Sequence, residues 1–227
     1  MDDVSKNSKH FLYIGILFVA ILMISNITAS KFVQIGFFVS SGAIFIFPIS
    51  YIFGDVLTEV YGYKASRKII WSGFAAQILM VAYLYFVQIL PAAPFWQNQA
   101  AYEVILGTLP RVVLGSICAY FAGEFSNSYV LSKMKIWSNG KHLWMRTIGS
   151  TVVGEGVDTI IFITVAFTGI LPVAALFATG LSVYLFKVIY EVVATPLTYL
   201  IVNRLKRAEG IDVYDRGISY NPFSFKE

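Results

Sequence analysis

The chain has 227 residues, of which 57% are hydrophobic and only 13% carry a formal charge. Soluble domains average about 25% charged residues, so this composition excludes a soluble globular protein and indicates an integral membrane protein. The net charge of +4 does not predict a nucleic-acid partner, because the basic residues follow the membrane topology. Cys118 is the only cysteine, which excludes an internal disulfide and a cysteine metal site.

Six apolar stretches each approach the ~20 residues that cross the hydrocarbon layer of a bilayer. The fold class that they predict is an all-α integral membrane protein, a six-transmembrane-helix bundle in which residues 1–227 form a single membrane domain. The predicted spans are about 11–30, 41–61, 67–90, 109–131, 147–169 and 178–202. The first span is not read as a cleavable signal peptide, because no small-residue cleavage site follows it.

The distribution of Lys and Arg predicts that both termini are cytoplasmic. With the N-terminus inside, the outer side keeps only Lys31 and Arg111, and Lys187 lies within the sixth span. All other basic residues fall on the inner side: Lys6, Lys9, Lys64, Arg67, Lys68, Lys133, Lys135, Lys141, Arg146, Arg204, Lys206, Arg207, Arg216 and Lys226.

The first two spans carry the first polar candidates. Asn26 is deep enough to face the bundle interior or, alternatively, to form a helix–helix hydrogen bond. Residues 32–40 are read as a turn or a short re-entrant piece. In the second span, Pro48 is expected to kink the helix, and Asp55 and Glu59 share one face near its cytoplasmic end. Glu59 has a structural alternative, an interfacial salt bridge to a base of the following loop, Lys64 or Arg67.

The last three spans repeat this pattern of acids on a polar face. Glu124 lies in the fourth span, on a stripe with Ser116, Tyr120, Asn127 and Ser128. In the fifth span, Glu155 and Asp158 share a face with Thr147, Thr151, Gly154 and Phe162, and the opposite face is apolar. Arg146 stands at the inner mouth of this span, where its side chain can reach an internal acid. In the sixth span, Lys187 and Glu191 are four residues apart and can pair with each other.

The membrane region therefore holds six acids against one deep base, Lys187. A carboxylate at the centre of a membrane helix costs roughly 2.5–3.5 kcal/mol on insertion scales, so some acids must be protonated, solvated or bound to cations. The pattern predicts an acidic cavity, open to the inside in one state, that suits cations, protons or a neutral ligand rich in N–H donors. Salt bridges that only hold the bundle together, and a proton path or ion channel, are the alternatives.

A glycine precedes an acid in three helices, at Gly54–Asp55, Gly123–Glu124 and Gly154–Glu155. Glycine allows a neighbouring backbone or a ligand to approach closely, and the repeat hints at two inverted halves of three helices. Enzyme motifs are absent: the sequence has no HExxH, GxSxG, P-loop or glycine-rich dinucleotide turn. We expect no enzyme activity, no cofactor and no metal.

Four segments, GDVLTEVYG, AGEFSNS, RTIGSTVVGEGVDTIIF and KVIYEVVATPLTY, resemble in this order the queuosine precursor transporter family, also called the vitamin uptake transporter family. The resemblance implies a small six-helix inner-membrane protein that imports 7-deazaguanine bases, the precursors of the tRNA nucleoside queuosine. The substrate-binding residues that it implies are Asn26, Asp55, Glu59, Glu124, Asn127, Arg146, Ser150, Glu155, Asp158, Lys187 and Glu191.

The chemistry of such a base suits an acidic pocket. Its guanine-like edge offers two N–H groups to one carboxylate, for which Glu155 or Asp158 is the prediction, with Lys187 as the paired cation. An aminomethyl-bearing precursor adds a positive charge that surplus acids favour. Three alternatives for the function stay open. The chain is a proton-coupled transporter, a binding component that needs a separate ATPase module, or a structural membrane protein. The expected partners are a small-molecule substrate, the lipid bilayer and, as an open alternative, a second copy in a homodimer.

Overall fold

The computed structural model describes residues 8–35, 38–107, 110–169 and 172–224. In chain order, this part of the protein forms seven α-helices and one short hairpin. The helices are α1 (Phe11–Thr28), α2 (Phe47–Tyr61), α3 (Tyr63–Ile89), α4 (Gln99–Leu106), α5 (Pro110–Trp137), α6 (Leu143–Phe167) and α7 (Val173–Glu209).

The connection between α1 and α2 is a β-hairpin rather than a turn or a re-entrant piece. Strands β1 (Phe32–Ile35) and β2 (Phe38–Ser41) pair antiparallel, with Phe32 opposite Ser41. A short 3-10 turn, Gly42–Phe45, then leads into α2, so the helical part of the second predicted span is shorter than expected. Pro48 falls in the first turn of α2 and does not interrupt the helix interior, because the first amide groups of a helix have no helical acceptor to lose.

Five helical segments in the described ranges are long and apolar enough to cross a membrane. They are Phe11–Thr28, Gly42–Tyr61, Tyr63–Ile89, Leu143–Ala166 and Leu176–Glu209. Helix α5 has 28 residues, which is sufficient length, but it is less apolar than the other five. The all-α membrane fold is therefore confirmed, and the count of six spans stays a prediction.

Helix α2 occupies the centre of the bundle. About 67% of its apolar segment is buried, against 17–33% for the other four segments. It packs against α1, α5 and α7, while α5 lies along α6 and α6 along α7. Because α2 has little contact with the surroundings of the bundle, its polar side chains must find partners within the protein.

Two glycine positions fix how the chain turns and how the helices approach. Gly62, between α2 and α3, has a φ of +85°, which favours glycine, and a Cβ there would lie 2.7 Å from Val213 and 2.8 Å from Asp215. Gly154 on α6 faces α5, where a Cβ would lie 2.7 Å from the Cβ of Asn127 and 3.0 Å from the carbonyl oxygen of Gly123. The close crossing of α5 and α6 therefore depends on the absence of a side chain at Gly154.

We expect Gly154→Val to destabilise the bundle by about 1–3 kcal/mol, because the added carbons must push α5 and α6 apart. The measurement is the Tm of the detergent-purified protein. Gly156→Val is the matched control on the same helix, since a Cβ at Gly156 meets only Tyr184, at 3.8 Å. Equal Tm values for the two variants would contradict the close crossing.

Candidate functional site

The buried interior between α5, α6 and α7 contains an ion triad. The Nζ of Lys187 donates to Oε2 of Glu155 at 2.6 Å and to Oδ2 of Asp158 at 2.8 Å. All three side chains are at most 9% exposed, and the ammonium also lies 4.6 Å from the centre of the Phe47 ring. Lys187 thus pairs across the helix interface with Glu155 and Asp158, and not with Glu191 along its own helix, which the sequence spacing would also allow. Two carboxylates on α6 compensate the buried cation better than one would.

Glu124 is the acid that the bundle leaves without a partner. Its side chain is fully buried, and neither carboxylate oxygen accepts a hydrogen bond from any described residue. The hydroxyl of Tyr51 on α2 is buried and unpartnered in the same sense. A Cβ built on Gly54 would lie 2.8 Å from Oε2 of Glu124, so this glycine leaves the carboxylate its space.

The Tyr51 hydroxyl and the ion triad are neighbours of Glu124. A Cβ built on Gly123 would lie 2.6 Å from the Tyr51 hydroxyl and 2.9 Å from the Cβ of Asp158, so both groups converge on one turn of α5. The carboxylates of Glu155, Asp158 and Glu124 all act electrostatically on this hydroxyl. The sequence pattern places Tyr51 one turn before Asp55 on the same stripe of α2, but Tyr51 is not among the predicted substrate-binding residues.

A second group of unpartnered acceptors lies one turn further along α5. The Nδ2 of Asn127 donates to Oδ1 of Asp55 at 2.7 Å, and the Ser150 hydroxyl lies 3.5 Å from the same oxygen. This leaves Oδ2 of Asp55 and Oδ1 of Asn127 without a partner among the described residues. Glu191 on α7 also has an unpartnered oxygen, Oε1, and its carboxylate is the charge that acts most strongly on Asp55.

Glu59 does not belong to this acceptor-rich interior, because cations of three other helices compensate it. Arg146 donates to both of its oxygens, with Nε–Oε2 at 3.1 Å and Nη2–Oε1 at 2.8 Å. Lys206 lies 2.6 Å from Oε1, Lys135 lies 3.6 Å from it, and both lysines contact Asp212. We call these five residues the Glu59 cluster.

The Glu59 cluster adds buried bases to the one, Lys187, that the sequence analysis counts in the membrane region. Lys187 is not the only deeply buried base among the described residues. The side chains of Lys135 and Arg146 are 2% and 1% exposed. Arg146 does reach an internal acid, as expected, whereas the partners suggested for Glu59, Lys64 and Arg67, are not its partners. Outside the spans, burial alone would raise the pKa of Asp212, but hydrogen bonds and charge from Lys135 and Lys206 hold this pKa below its usual value.

The segment 212–222, here called the C-terminal strap, folds back over the ends of α2, α3 and α5. The buried carboxylate of Asp215 accepts hydrogen bonds from the Tyr63 amide at 2.8 Å and the Ser132 hydroxyl at 2.6 Å. Two side chains of α3 donate hydrogen bonds to the far end of the strap. Arg67 donates to the carbonyl oxygen of Asn221 at 2.8 Å, and the indole of Trp71 donates to the carbonyl oxygen of Pro222 at 2.9 Å. The sequence of this C-terminal segment has no pattern that predicts these contacts.

Asn26 lies apart from the acids. Its Nδ2 donates to Oε1 of Gln77 at 3.1 Å, and the Ser116 hydroxyl donates to its Oδ1 at 3.4 Å. These contacts join α1, α3 and α5, which agrees with the alternative of a helix–helix hydrogen bond. Of the predicted site residues, the structure therefore gathers eight in the interior and places Asn26, Glu59 and Arg146 elsewhere. The interior eight are Asp55, Glu124, Asn127, Ser150, Glu155, Asp158, Lys187 and Glu191.

An apolar groove of about 440 Å³ lies between α1, α2 and α7, but it contains none of these acids. No group of three His, Cys, Asp or Glu side chains in the described ranges has the arrangement of a metal site. A buried polar atom without a partner costs about 1–3 kcal/mol. Water, protons or a ligand rich in N–H groups would supply the donors that these interior acceptors lack.

The fold and this interior define a multi-pass membrane protein whose polar side chains face each other inside the bundle. The model of the family described as "Putative vitamin uptake transporter" matches residues 41–201. The chain belongs to this vitamin uptake transporter family, and all four motifs of the resemblance lie within the matched range. The family is one of transporters, which agrees with the exclusion of an enzyme.

Two relatives carry more specific names. The "Probable queuosine precursor transporter" of Bacillus subtilis (strain 168) is 36% identical over 146 residues, which cover 64% of each chain. The "Queuosine precursor transporter" of Escherichia coli (strain K12) is 25% identical over 164 residues, 72% of this chain and 71% of that protein. The chain thus spans less than two thirds of the Bacillus relative. No solved structure gives a significant match.

Proposed function

We propose that this chain imports queuosine precursors, which are 7-deazaguanine bases, across the cell inner membrane. The names of both relatives support this substrate class. The supporting arrangement in the bundle is an interior that holds five acids, Asp55, Glu124, Glu155, Asp158 and Glu191, around one cation, Lys187.

The observation that carries the proposal is the Glu124 carboxylate, which is fully buried with both oxygens unpartnered among the described residues. A guanine-like edge presents an N1–H and an exocyclic amine side by side, and one carboxylate accepts from both. We assign this contact to Glu124 rather than to Glu155 or Asp158, because those two acids already bind Lys187. The unpartnered Tyr51 hydroxyl can donate to the 6-oxo group of the same base.

The membrane arrangement proposed is a single domain with six spans and both termini in the cytoplasm. Helix α5, the fourth in the predicted order, joins the five apolar segments as a span and makes six, because it packs along α6 and against α2 and α3 within the bundle. The Glu59 cluster, with three cations at the predicted inner end, supports this orientation. The surplus of interior acids supports coupling to protons, since the carboxylates that lack a cation are stabilised by protonation.

Uptake of a radiolabelled 7-deazaguanine base tests the function in cells that lack their own importer. Cells that make this protein are expected to accumulate the base well above an empty-vector control. Liposomes that contain only the purified protein separate the remaining alternatives. Transport into them excludes a need for an ATPase module, and a proton gradient is expected to increase it. Binding without transport in liposomes would indicate a component of an ATP-driven system, and neither binding nor uptake would indicate a structural protein.

A further inference from the structure

The inner part of the acid-lined interior holds three buried acceptor atoms that have no partner among the described residues. Its three unpartnered atoms are Oδ2 of Asp55, Oδ1 of Asn127 and Oε1 of Glu191, on side chains that are at most 2% exposed. They come from α2, α5 and α7, so the group exists only in the folded bundle. A water molecule has two donors for three such acceptors, whereas a primary ammonium group has three.

The orientation of Asn127 is fixed by its partner. Its amide nitrogen donates to Oδ1 of Asp55 at 2.7 Å, which leaves its oxygen as an acceptor next to the second Asp55 oxygen. The nearby cations of the described bundle have other partners. Lys187 is held by Glu155 and Asp158, and Arg146 by Glu59. Lys187 and Arg146 are therefore not available to offset the charge of these acceptors, which an additional cation would do.

The two unpartnered groups are separated by one helical turn. Glu124 and Asn127 are three residues apart on α5, which corresponds to about 4.5 Å along the helix axis. This separation is comparable to the width of a fused two-ring base. A base that presents its N–H edge to Glu124 can thus carry a substituent on its other ring toward Asp55, Asn127 and Glu191.

We propose that Asp55, Asn127 and Glu191 form a subsite for a primary ammonium group, and that this chain selects 7-deazaguanine bases with a 7-aminomethyl substituent over neutral ones. The inference rests on the proposed function and adds the charge of the substrate to it. The ammonium group places its three N–H donors on the three acceptors, and its charge offsets that of one of the two carboxylates.

Two bases with the same guanine edge test the subsite. 7-Aminomethyl-7-deazaguanine carries the ammonium group, and 7-cyano-7-deazaguanine carries a neutral nitrile at the same position. Equilibrium binding to the detergent-purified protein is expected to favour the aminomethyl base at least tenfold, because hydrogen bonds to a charged group are worth about tenfold or more in affinity. Equal affinities, or a preference for the cyano base, would overturn the subsite.

Glu191→Gln is expected to lower affinity for the aminomethyl base about tenfold to a hundredfold and to change affinity for the cyano base less than about twofold. Asp55→Asn should have the same effect on the two affinities. It serves as the second test if the Tm shows that Glu191→Gln folds poorly. An equal loss for both bases would overturn the selective role. Cyano-base binding that rises with added Na⁺ would assign the subsite to an inorganic cation and also overturn it. A wild-type protein that binds neither base would instead refute the proposed function itself.

Discussion

Glu59→Leu is expected to lower the free energy of unfolding by about 3–5 kcal/mol, because it leaves Arg146, Lys135 and Lys206 without their shared carboxylate. Arg146 is 1% exposed and Lys135 2%, so neither cation can recover its hydration without opening the bundle. Asp212 contacts only the two lysines of the cluster and cannot replace the contact with Arg146. The measurement is the Tm of the detergent-purified protein, with an expected fall on the order of 10 °C.

The double variant Glu59→Leu/Arg146→Leu separates lost charge compensation from lost packing. Removing the stranded guanidinium together with its carboxylate should cost less than the sum of the two single changes. Glu103→Leu is the control, since Glu103 is an exposed acid on α4 and is expected to leave the Tm nearly unchanged. A Glu59→Leu protein as stable as Glu103→Leu would show that the cluster contributes nothing to stability.

Glu124→Gln is expected to lower uptake about tenfold to a hundredfold while leaving the protein as stable as the wild type, or more so. In the binding step, the amide places a donor where the base edge presents another donor, and charge-assisted hydrogen bonds worth about 1.5–3 kcal/mol are lost. In the empty protein, the same change removes a buried carboxylate that has no partner among the described residues. A loss of activity together with an unchanged or higher stability is typical of a residue that serves function at a cost in stability.

Radiolabelled base uptake and Tm are therefore measured on the same Glu124→Gln preparation. Glu103→Gln makes the same chemical change at an exposed position and should alter neither value. A Glu124→Gln protein that loses stability together with uptake would identify Glu124 as a structural residue. Full uptake by this variant would remove Glu124 from the recognition of the base.

The membrane class and the positions of the helices were predictable because long apolar runs have few alternative structures in a bilayer. Five of the six predicted spans contain an apolar helical segment, with ends that differ by several residues. Helix α7 is the clearest case, since it continues past the predicted end at residue 202 to Glu209. Hydropathy marks where the apolar run ends, whereas the helix continues until Gly210 adopts a left-handed conformation.

Partners of the charged residues were harder to predict than their burial. The periodicity of α7 placed Lys187 one turn from Glu191, but the rotation of α7 against α6 decides that Lys187 reaches Glu155 and Asp158. Lysines near the membrane edge were assigned to topology alone, and Lys135 is nevertheless buried beside Glu59. Such contacts join residues far apart in the chain, and a single sequence carries no local pattern for them.

The C-terminal strap has a consequence for how the protein is made. Glu59 enters the membrane early, while Arg146 and Lys206 are synthesised 87 and 147 residues later, and the strap follows them. The three cations of the Glu59 cluster, Lys135, Arg146 and Lys206, therefore all follow Glu59 by at least 76 residues. The Glu59 cluster can therefore be completed only after synthesis has reached Asp212, so a chain truncated before α7 would lack Lys206 and Asp212 of this cluster.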